Sequence, residues 1–430
     1  MLLAYLDPDQ RAFLTRTAQA VAAMGGHVYL VGGGVRDLLL AQSQGQTITL
    51  SDMDLVLDQV SPDAIGELAQ QMSRWRPGAL VQPHPKFHTC DLLWPDLALD
   101  LALARRETYP HPAANPLVTP ADIHQDLHRR DFTINAMALG LHPAGVLLDP
   151  FDGQGDLQRK SLRVLHERSF ADDPTRLWRG VRYGVRYGLQ FAPETVAQWH
   201  ATLASGVYEY WRQQPGQAPA LQTRLRAELH YLWQMAQWVQ AGRWLEALGA
   251  WACIHPELHW TPALERSLRT ASYVLRHHPH RYRCLTELLV SYVPPTDRYA
   301  VAHCLDLPLA AQKRLAQLER LETQLPALPA LPVSRICQTL EPYEPELLWL
   351  ALFRQRGNIR NILRNYLQHW SHEHPPLNGK DLRELGYQPG PQFRQILSRL
   401  RSAYLDREIT DRTEAIAYVQ RYFPRVSPGQ

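Results

Sequence analysis

Lysine is nearly missing from this chain: Lys86, Lys160, Lys313 and Lys380 stand against 41 arginines. Arginine-based positive charge suits bidentate contact with phosphates and bases, and a GC-rich coding bias would give the same skew. No single sign of charge dominates. The 45 cations and 42 anions leave a formal net charge of +3, too small by itself to announce a nucleic-acid binder. The five cysteines (Cys90, Cys253, Cys284, Cys304, Cys337) are scattered and never spaced CxxC. That excludes a disulfide scaffold, argues against a cysteine-built zinc site and points to reduced thiols. No uncharged apolar run approaches the ~18 residues of a membrane helix, and Asp7 and Asp9 fall where a secretory signal would be apolar. A cytoplasmic protein with no membrane association is the expectation.

What is present suffices for several domains: 430 residues, 45% of them hydrophobic, at about 100–200 residues per domain. The first 160 or so residues read as mixed α/β. Val28 to Val31 is a short apolar strand running into Gly32-Gly33-Gly34, with a helix opening at Val35; 47–57, 87–94 and 96–104 supply further strands. From Ser161 strand signals fade into amphipathic helix. Two segments interrupt it: 213–219, which cannot continue a helix, and 325–332, where a proline at every third position predicts an extended polyproline-type linker.

Asp52 and Asp54 sit two apart in Ser51-Asp52-Met53-Asp54-Leu55, so they share one face of a strand at roughly 6–7 Å. That spacing lets two carboxylates share one Mg²⁺ and frame a second, as in two-metal nucleotidyl transfer; a bare DxD is also a common exposed strand edge. In 97–104 one face is all leucine and the other reads Ala98, Asp100, Ala102, Ala104. An acid there needs a partner to offset desolvation: a metal shared with the first two acids, or the nearby Arg105 or Arg106. The glycine turn, with Arg36 in the first helical turn, can offer backbone N–H groups and a guanidinium to phosphate, without P-loop or dinucleotide-fingerprint spacing. His277, His278 and His280 lack a fitting aspartate and read as exposed histidines.

The order strand, glycine turn, helix, then a DxD strand sixteen residues after Arg36 resembles the polymerase-β-type nucleotidyltransferases. More closely, it is similar to the class II tRNA nucleotidyltransferase (CCA-adding) and bacterial poly(A) polymerase family. Four further stretches match in order: Arg129-Arg130-Asp131-Phe132-Thr133-Ile134-Asn135-Ala136-Met137-Ala138; Asp149-Pro150-Phe151-Asp152-Gly153 with Asp156-Leu157; Asp172-Asp173-Pro174-Thr175-Arg176, continued by Arg179 and Arg182; and Thr223-Arg224-Leu225-Arg226-Ala227-Glu228-Leu229. The resemblance implies an α+β fold: a nucleotidyltransferase head at 1–160, then an all-α neck at 161–235, body at 236–325 and tRNA-binding tail at 333–430. It implies catalytic Asp52, Asp54 and Asp100, with Mg²⁺ on Asp52 and Asp54, phosphates at Gly33 and Arg36, the nucleotide sugar at Arg130 and Asp131, and the base at Asp173 and Arg176, backed by Arg179 and Arg182.

Helical geometry supports the base-reading assignment. Asp173 and Arg176 project about 60° apart, Arg179, Arg182 and Arg186 extend a basic flank, and Leu177, Val181 and Val185 form a core stripe. A carboxylate accepting from an exocyclic amine, with a guanidinium donating to ring acceptors, selects cytosine or adenine over uracil or guanine. Asp173 before Pro174 equally suits a helix N-cap. Asp172 departs from the glutamate usual in the family, which puts the switch between C and A in question.

Segment 105–126 fills the place of the family's flexible loop, which is needed for the final A and shortened in CC-only enzymes; its presence implies A-addition. The tail stretch Leu377-Asn378-Gly379-Lys380-Asp381-Leu382, with Gly386 to Pro391, resembles the tail of bacterial CCA-adding enzymes rather than poly(A) polymerases; it also reads as a helix–Gly–helix turn. The implied activity is template-independent addition of CCA, or part of it, to the tRNA acceptor arm from CTP and ATP, with no obligate protein partner. A-only addition, poly(A) polymerase and an inactive RNA-binding module are the alternatives.

Overall fold

The computed structural model describes residues 2–424 except Gln213 and Pro215. Those two, part of the predicted break at 213–219, lie outside the described residues. The chain divides into two compact units, Met1–His259 and Trp260–Gln430.

In the first unit the strands are β1 (His27–Val31), β2 (Asp52–Asp58), β3 (Leu80–His84), β4 (Thr89–Leu93), β5 (Ala98–Leu103), β6 (Arg105–Thr108), β7 (Leu117–Pro120), β8 (Ala138–His142) and β9 (Leu147–Leu148). Seven form one sheet in the order β3-β4-β5-β2-β1-β8-β9. Only the β2–β5 pair in it is parallel, and β6 and β7 make a separate hairpin.

Period-2 alternation gives the sheet two unlike faces. Val28, Leu30, Met53, Leu55, Leu57, Leu99 and Leu101 enter a large core with Leu14 and Val21 of the helix Pro8–Ala23 and Leu68 and Met72 of the helix Ala64–Trp75. The other face carries a smaller core of Tyr29, Val31 and Val56 beneath Ile123 and Leu127. The acids of the β2 motif, and Asp100, alternate onto this second face. Asp52 and Asp100 are exposed and Asp54 is half-buried.

Four of the sheet's seven strands, β1, β2, β4 and β5, fall where the sequence pattern places them; β3, β8 and the two-residue β9 lie outside it. Pro83 lies inside β3, which is tolerated because β3 is an edge strand. In β8, Gly140 sits beside a register shift against β1, and a Cβ there would lie 2.4 Å from the Pro143 carbonyl. The helix after the glycine turn begins at Gly33, two residues earlier than expected.

Segment 325–332 is a correction. Instead of an extended linker, Leu325–Ala330 is a 3₁₀ helix. With three residues per turn, a leucine every third position stacks on one face, and Leu325 and Leu328 are buried. The prolines that suggested an extended chain occupy another face of the same period. Further on, Asn378 caps the helix Gly379–Glu384 in a reciprocal capping box with Asp381. Gly386 follows at φ +83° and Pro391 opens the next helix, as the turn reading expects.

Leu328→Ala should cost about 2–4 kcal/mol in denaturant unfolding, as a buried truncation. Leu331→Ala, at the exposed end of the same stack, should stay within about 0.5 kcal/mol. Equal small effects would restore the linker reading.

Candidate active site: an acid row facing an arginine wall

Register sets the acids. In the parallel β2–β5 pair Asp54 lies directly opposite Asp100, and Asp52 opposite Ala98. On the far side of Asp100, β4 places Asp91 opposite it. Among the described residues, no hydrogen bond or ion pair reaches the carboxylates of Asp52, Asp54 or Asp100; the arginine partner considered for Asp100 is not there. Each is pushed above the usual carboxylate range. Asp52 rises through burial and then the neighbouring Asp54 charge. Asp54 rises through burial, against the pull of Arg130 and Arg129. Asp100 reaches about 6 through burial and the charges of Asp54, Asp91 and Asp52, opposed by His84. Unpaired, mutually repelling hard oxygen donors suit a divalent cation. Among the described residues no three His, Cys, Asp or Glu side chains converge closely enough to hold a metal on their own. Substrate or water oxygens must therefore complete any coordination.

Gly32 turns the chain from β1 into the helix Gly33–Gln44 at φ +70°. A Cβ on it would lie 2.8 Å from Arg130 Nη1 and 2.9 Å from Asp54 Oδ2, so Gly32, one residue before Gly33, has no room for a side chain. Gly33 is the first helical residue and also lines the cleft. Arg36 is buried, and its nitrogens are engaged: Nε donates to Asp37, Nη1 to Asn135 at 2.7 Å and Nη2 to the Tyr187 hydroxyl at 2.7 Å. It braces the glycine turn against the helix Thr175–Tyr187.

Arg129 and Arg130 are aimed by Asp126, which is fully buried and accepts from both at 2.9 and 3.1 Å. Burial alone would raise the Asp126 carboxyl, but these two cations hold it below its usual range. Asp131 accepts from Asn135 and from the Phe132 N–H, and pairs with Arg179 Nε at 3.2 Å.

Asp173 does two jobs. One oxygen accepts from the Thr175 N–H at 2.9 Å, though the N-cap of the helix Thr175–Tyr187 is Pro174 and not, as the sequence suggested, Asp173. The other pairs with Arg224 at 2.9 Å and Arg179 at 3.6 Å. Burial would raise this carboxyl, but Arg179, Arg224 and Arg176 outweigh it and hold it low. Arg176 is not its direct ion-pair partner: Nη1 donates to Ser169 at 2.7 Å and Nη2 to the Arg129 carbonyl at 3.0 Å. Arg182 is a correction. It turns to Glu228 at 2.9 Å and stacks on Tyr231, and it is not among the cleft-lining residues. Asp172 is buried and meets only Arg168, at 3.4 Å. Of the expected core stripe, Leu177 and Val181 are buried and Val185 half-buried.

Asp52, Asp54, Asp173, Arg176 and Arg179 line one cleft of about 840 Å³, with Gly33, Arg36, Arg130 and Asp131 between them. Asp100 lines an adjoining recess of about 1020 Å³ that shares Asp54. Sequence reasoning passed over Glu107, Tyr109 and Arg224 as site residues, though all three line the cleft. Arg224 lay within the matched neck-helix stretch, and that was its signal. Segment 105–126 contains the β6–β7 hairpin and the start of the helix Ile123–His128. Its β6–β7 hairpin tip is tied down where the Ala113 N–H donates to the Ala171 carbonyl, Arg224 donates to the Ala114 carbonyl at 2.7 Å, and His111 stacks on Trp211.

A parallel strand pair presenting aspartates to a glycine turn and an arginine wall defines a nucleotidyltransferase. Comparison with known proteins agrees. The family model for the Poly A polymerase head domain matches residues 28–163. The CC-adding tRNA nucleotidyltransferase of Deinococcus radiodurans is 32% identical over 402 residues, 92% of this chain and 89% of that protein. The A-adding tRNA nucleotidyltransferase of Halalkalibacterium halodurans is 29% identical over 430 residues, covering 98% and 95%. An apo structure of a CCA-adding enzyme superposes with a TM-score of 0.74 at 26% identity, over 98% of this chain and 97% of that one. The chain belongs to the tRNA nucleotidyltransferase family.

Gly32→Ala should lower kcat/KM by about a hundredfold, because it displaces Arg130 and Asp54 together. Gly45→Ala, also at positive φ but with open space around it, should cost only about 1 kcal/mol of stability and spare turnover. A second outcome concerns pH. Asp100 is pushed up to about 6, so as pH falls through that region a proton increasingly competes with a cation for its carboxylate. Mn²⁺ affinity, followed by electron paramagnetic resonance, should weaken as pH falls from 7 to 5, and Asp100→Asn should flatten that dependence.

Proposed function

We propose that this chain adds CCA, or part of it, to the 3′ end of tRNA from CTP and ATP, without a nucleic-acid template and in the cytoplasm. The observation that carries the reading is the single cleft shared by Asp52 and Asp54 with Asp173, Arg176 and Arg179. The tRNA 3′-hydroxyl oxygen attacks the α-phosphorus of the nucleotide, and pyrophosphate leaves. Asp52 and Asp54, with Asp100 beside Asp54, would hold Mg²⁺. When bound, it favours ionisation of the 3′-hydroxyl and neutralises the triphosphate.

The chain's own groups do the positioning. Gly33 presents its N–H at a helix N-terminus, where an anion is favoured, and Arg36 keeps that turn rigid. Arg130 and Asp131 face the ribose side. Asp173 accepts from the exocyclic amine of cytosine or adenine, and Arg176 and Arg179 donate to the base. Arg182 acts through Glu228, outside the contact shell. The head at 1–160 and neck at 161–235 carry these groups; the body at 236–325 and tail at 333–430 hold the tRNA acceptor arm.

The relatives include A-adding, CC-adding and multifunctional CCA proteins. Retention of segment 105–126, with Tyr109 in the cleft and Arg224 joined both to Asp173 and to the loop tip, favours competence for the terminal A.

Purified protein is incubated with tRNAs ending before the first C, after C and after CC, each with labelled CTP or ATP. Label from ATP should enter the CC-ending tRNA once and then stop. Continued A addition would mark a poly(A) polymerase, and no addition to any tRNA would mark an RNA-binding module. Asp52→Ala should abolish incorporation while retaining tRNA binding; retained turnover would refute the metal assignment.

A further inference from the structure

Arg176 is held differently from its neighbours in the cleft. Arg129 and Arg130 pair with Asp126, Arg179 with Asp131 and Asp173, and Arg224 with Asp173. Arg176 is buried, yet among the described residues no carboxylate lies within ion-pairing distance of it. Its hydrogen bonds run to neutral acceptors: the Ser169 hydroxyl at 2.7 Å, the Arg129 carbonyl at 3.0 Å and Nε2 of His166 at 3.1 Å. Its Nε is buried and meets no acceptor among the described residues, so these three bonds fix its direction.

A guanidinium can only donate. His166 therefore takes part as an acceptor, with Nε2 bare and the proton on Nδ1. A protonated imidazole is a donor at both nitrogens; it would break the contact and repel the arginine. Burial, then the charges of Arg176, His128 and Arg168, push the imidazole down to about 4, so it stays an acceptor at neutral pH.

The imidazole is fixed in turn. It stacks on His128 with ring centres 5.4 Å apart and planes 20° apart, and Gln198 of the helix Pro193–Ala204 donates to the His166 carbonyl at 2.9 Å. His128 directly precedes Arg129, whose carbonyl is another of the acceptors, so the stack sets two anchors relative to each other. His166 is not among the described residues lining the cleft. It reaches a nucleotide only through Arg176.

The chemistry of the anchor decides what Arg176 can do. A carboxylate would aim the guanidinium but also neutralise it and compete with the base for its N–H groups. Neutral acceptors set the direction and leave the charge to act on the ring acceptors of cytosine or adenine, and against the ring N–H of uracil.

We propose that His166 is a positioning residue for base selection: as a neutral acceptor it aims Arg176 at the incoming base without discharging it, and the preference for CTP over UTP depends on it. This rests on the reading that Arg176 meets the base.

CTP and UTP affinities are measured by equilibrium binding to the full chain, without tRNA, in the wild type and in His166→Leu, His166→Gln, His166→Glu and Arg176→Ala. His166→Leu removes the acceptor and should lower the ratio of CTP to UTP affinity roughly tenfold, the worth of one hydrogen bond to a charged group. His166→Gln places an amide oxygen near the position of Nε2 and should restore most of the ratio. His166→Glu supplies an acceptor that carries charge and should lose the ratio as Leu does. Rescue by Gln separates positioning from packing, which Leu would fill better. An unchanged ratio in His166→Leu, or equal losses in Leu and Gln, would overturn the proposal; a Glu variant that keeps the ratio would overturn the need for a neutral anchor. Arg176→Ala tests the underlying reading separately. A ratio lost there but kept in His166→Leu leaves the base-reading role standing and removes His166 from it, whereas a ratio kept in Arg176→Ala refutes the base-reading role itself.

Discussion

The structure turns on a row of carboxylates that the protein crowds together and partly desolvates. Three carboxylates on adjacent parallel strands face the same way, and among the described residues no cation or donor is in contact with them. They are held there because the opposite face of the same strands is committed to the core through Met53, Leu55, Leu99 and Leu101. A one-residue slip would bury the acids and expose the leucines, so hydrophobic burial fixes the acids against their own charge. That stored repulsion is what a divalent cation and a triphosphate can relieve.

The facing wall follows the opposite rule. Its arginines are aimed by acids buried behind them: Asp126 beneath Arg129 and Arg130, Asp131 and Asp173 around Arg179, Asp173 beneath Arg224. One carboxylate taking two guanidiniums needs planar multi-donor forks, and lysine cannot supply them. Among the described residues no lysine lines the cleft. The arginine bias noted in the composition therefore has a structural use here, whatever its origin in the coding sequence.

Much of the head was legible because its signals are local. Alternation in β2 and β5 placed three acids on one face, and the glycine turn announced the strand-to-helix transition. What stayed hidden depends on distant contacts. β3 was masked by Pro83, β8 by Gly140, and the 3₁₀ segment by prolines whose period matches an extended helix equally well. Arg176 and Arg182 show the limit most clearly. Helical spacing put both on the basic flank, but their final partners, Ser169 and the Arg129 carbonyl for one and Glu228 for the other, come from elements 7 to 47 residues away. Spacing on a helix predicts direction; it does not predict which neighbour arrives.

The central claim is that the acid row and the arginine wall grip opposite ends of one nucleotide. It is tested most directly by a crystal structure with Mn²⁺ and a non-hydrolysable CTP analogue, with anomalous scattering used to locate the metal. A manganese peak touching Asp52 and Asp54, with the cytosine amine against Asp173, is the expected result. A metal elsewhere, or a base directed away from the helix Thr175–Tyr187, would contradict it.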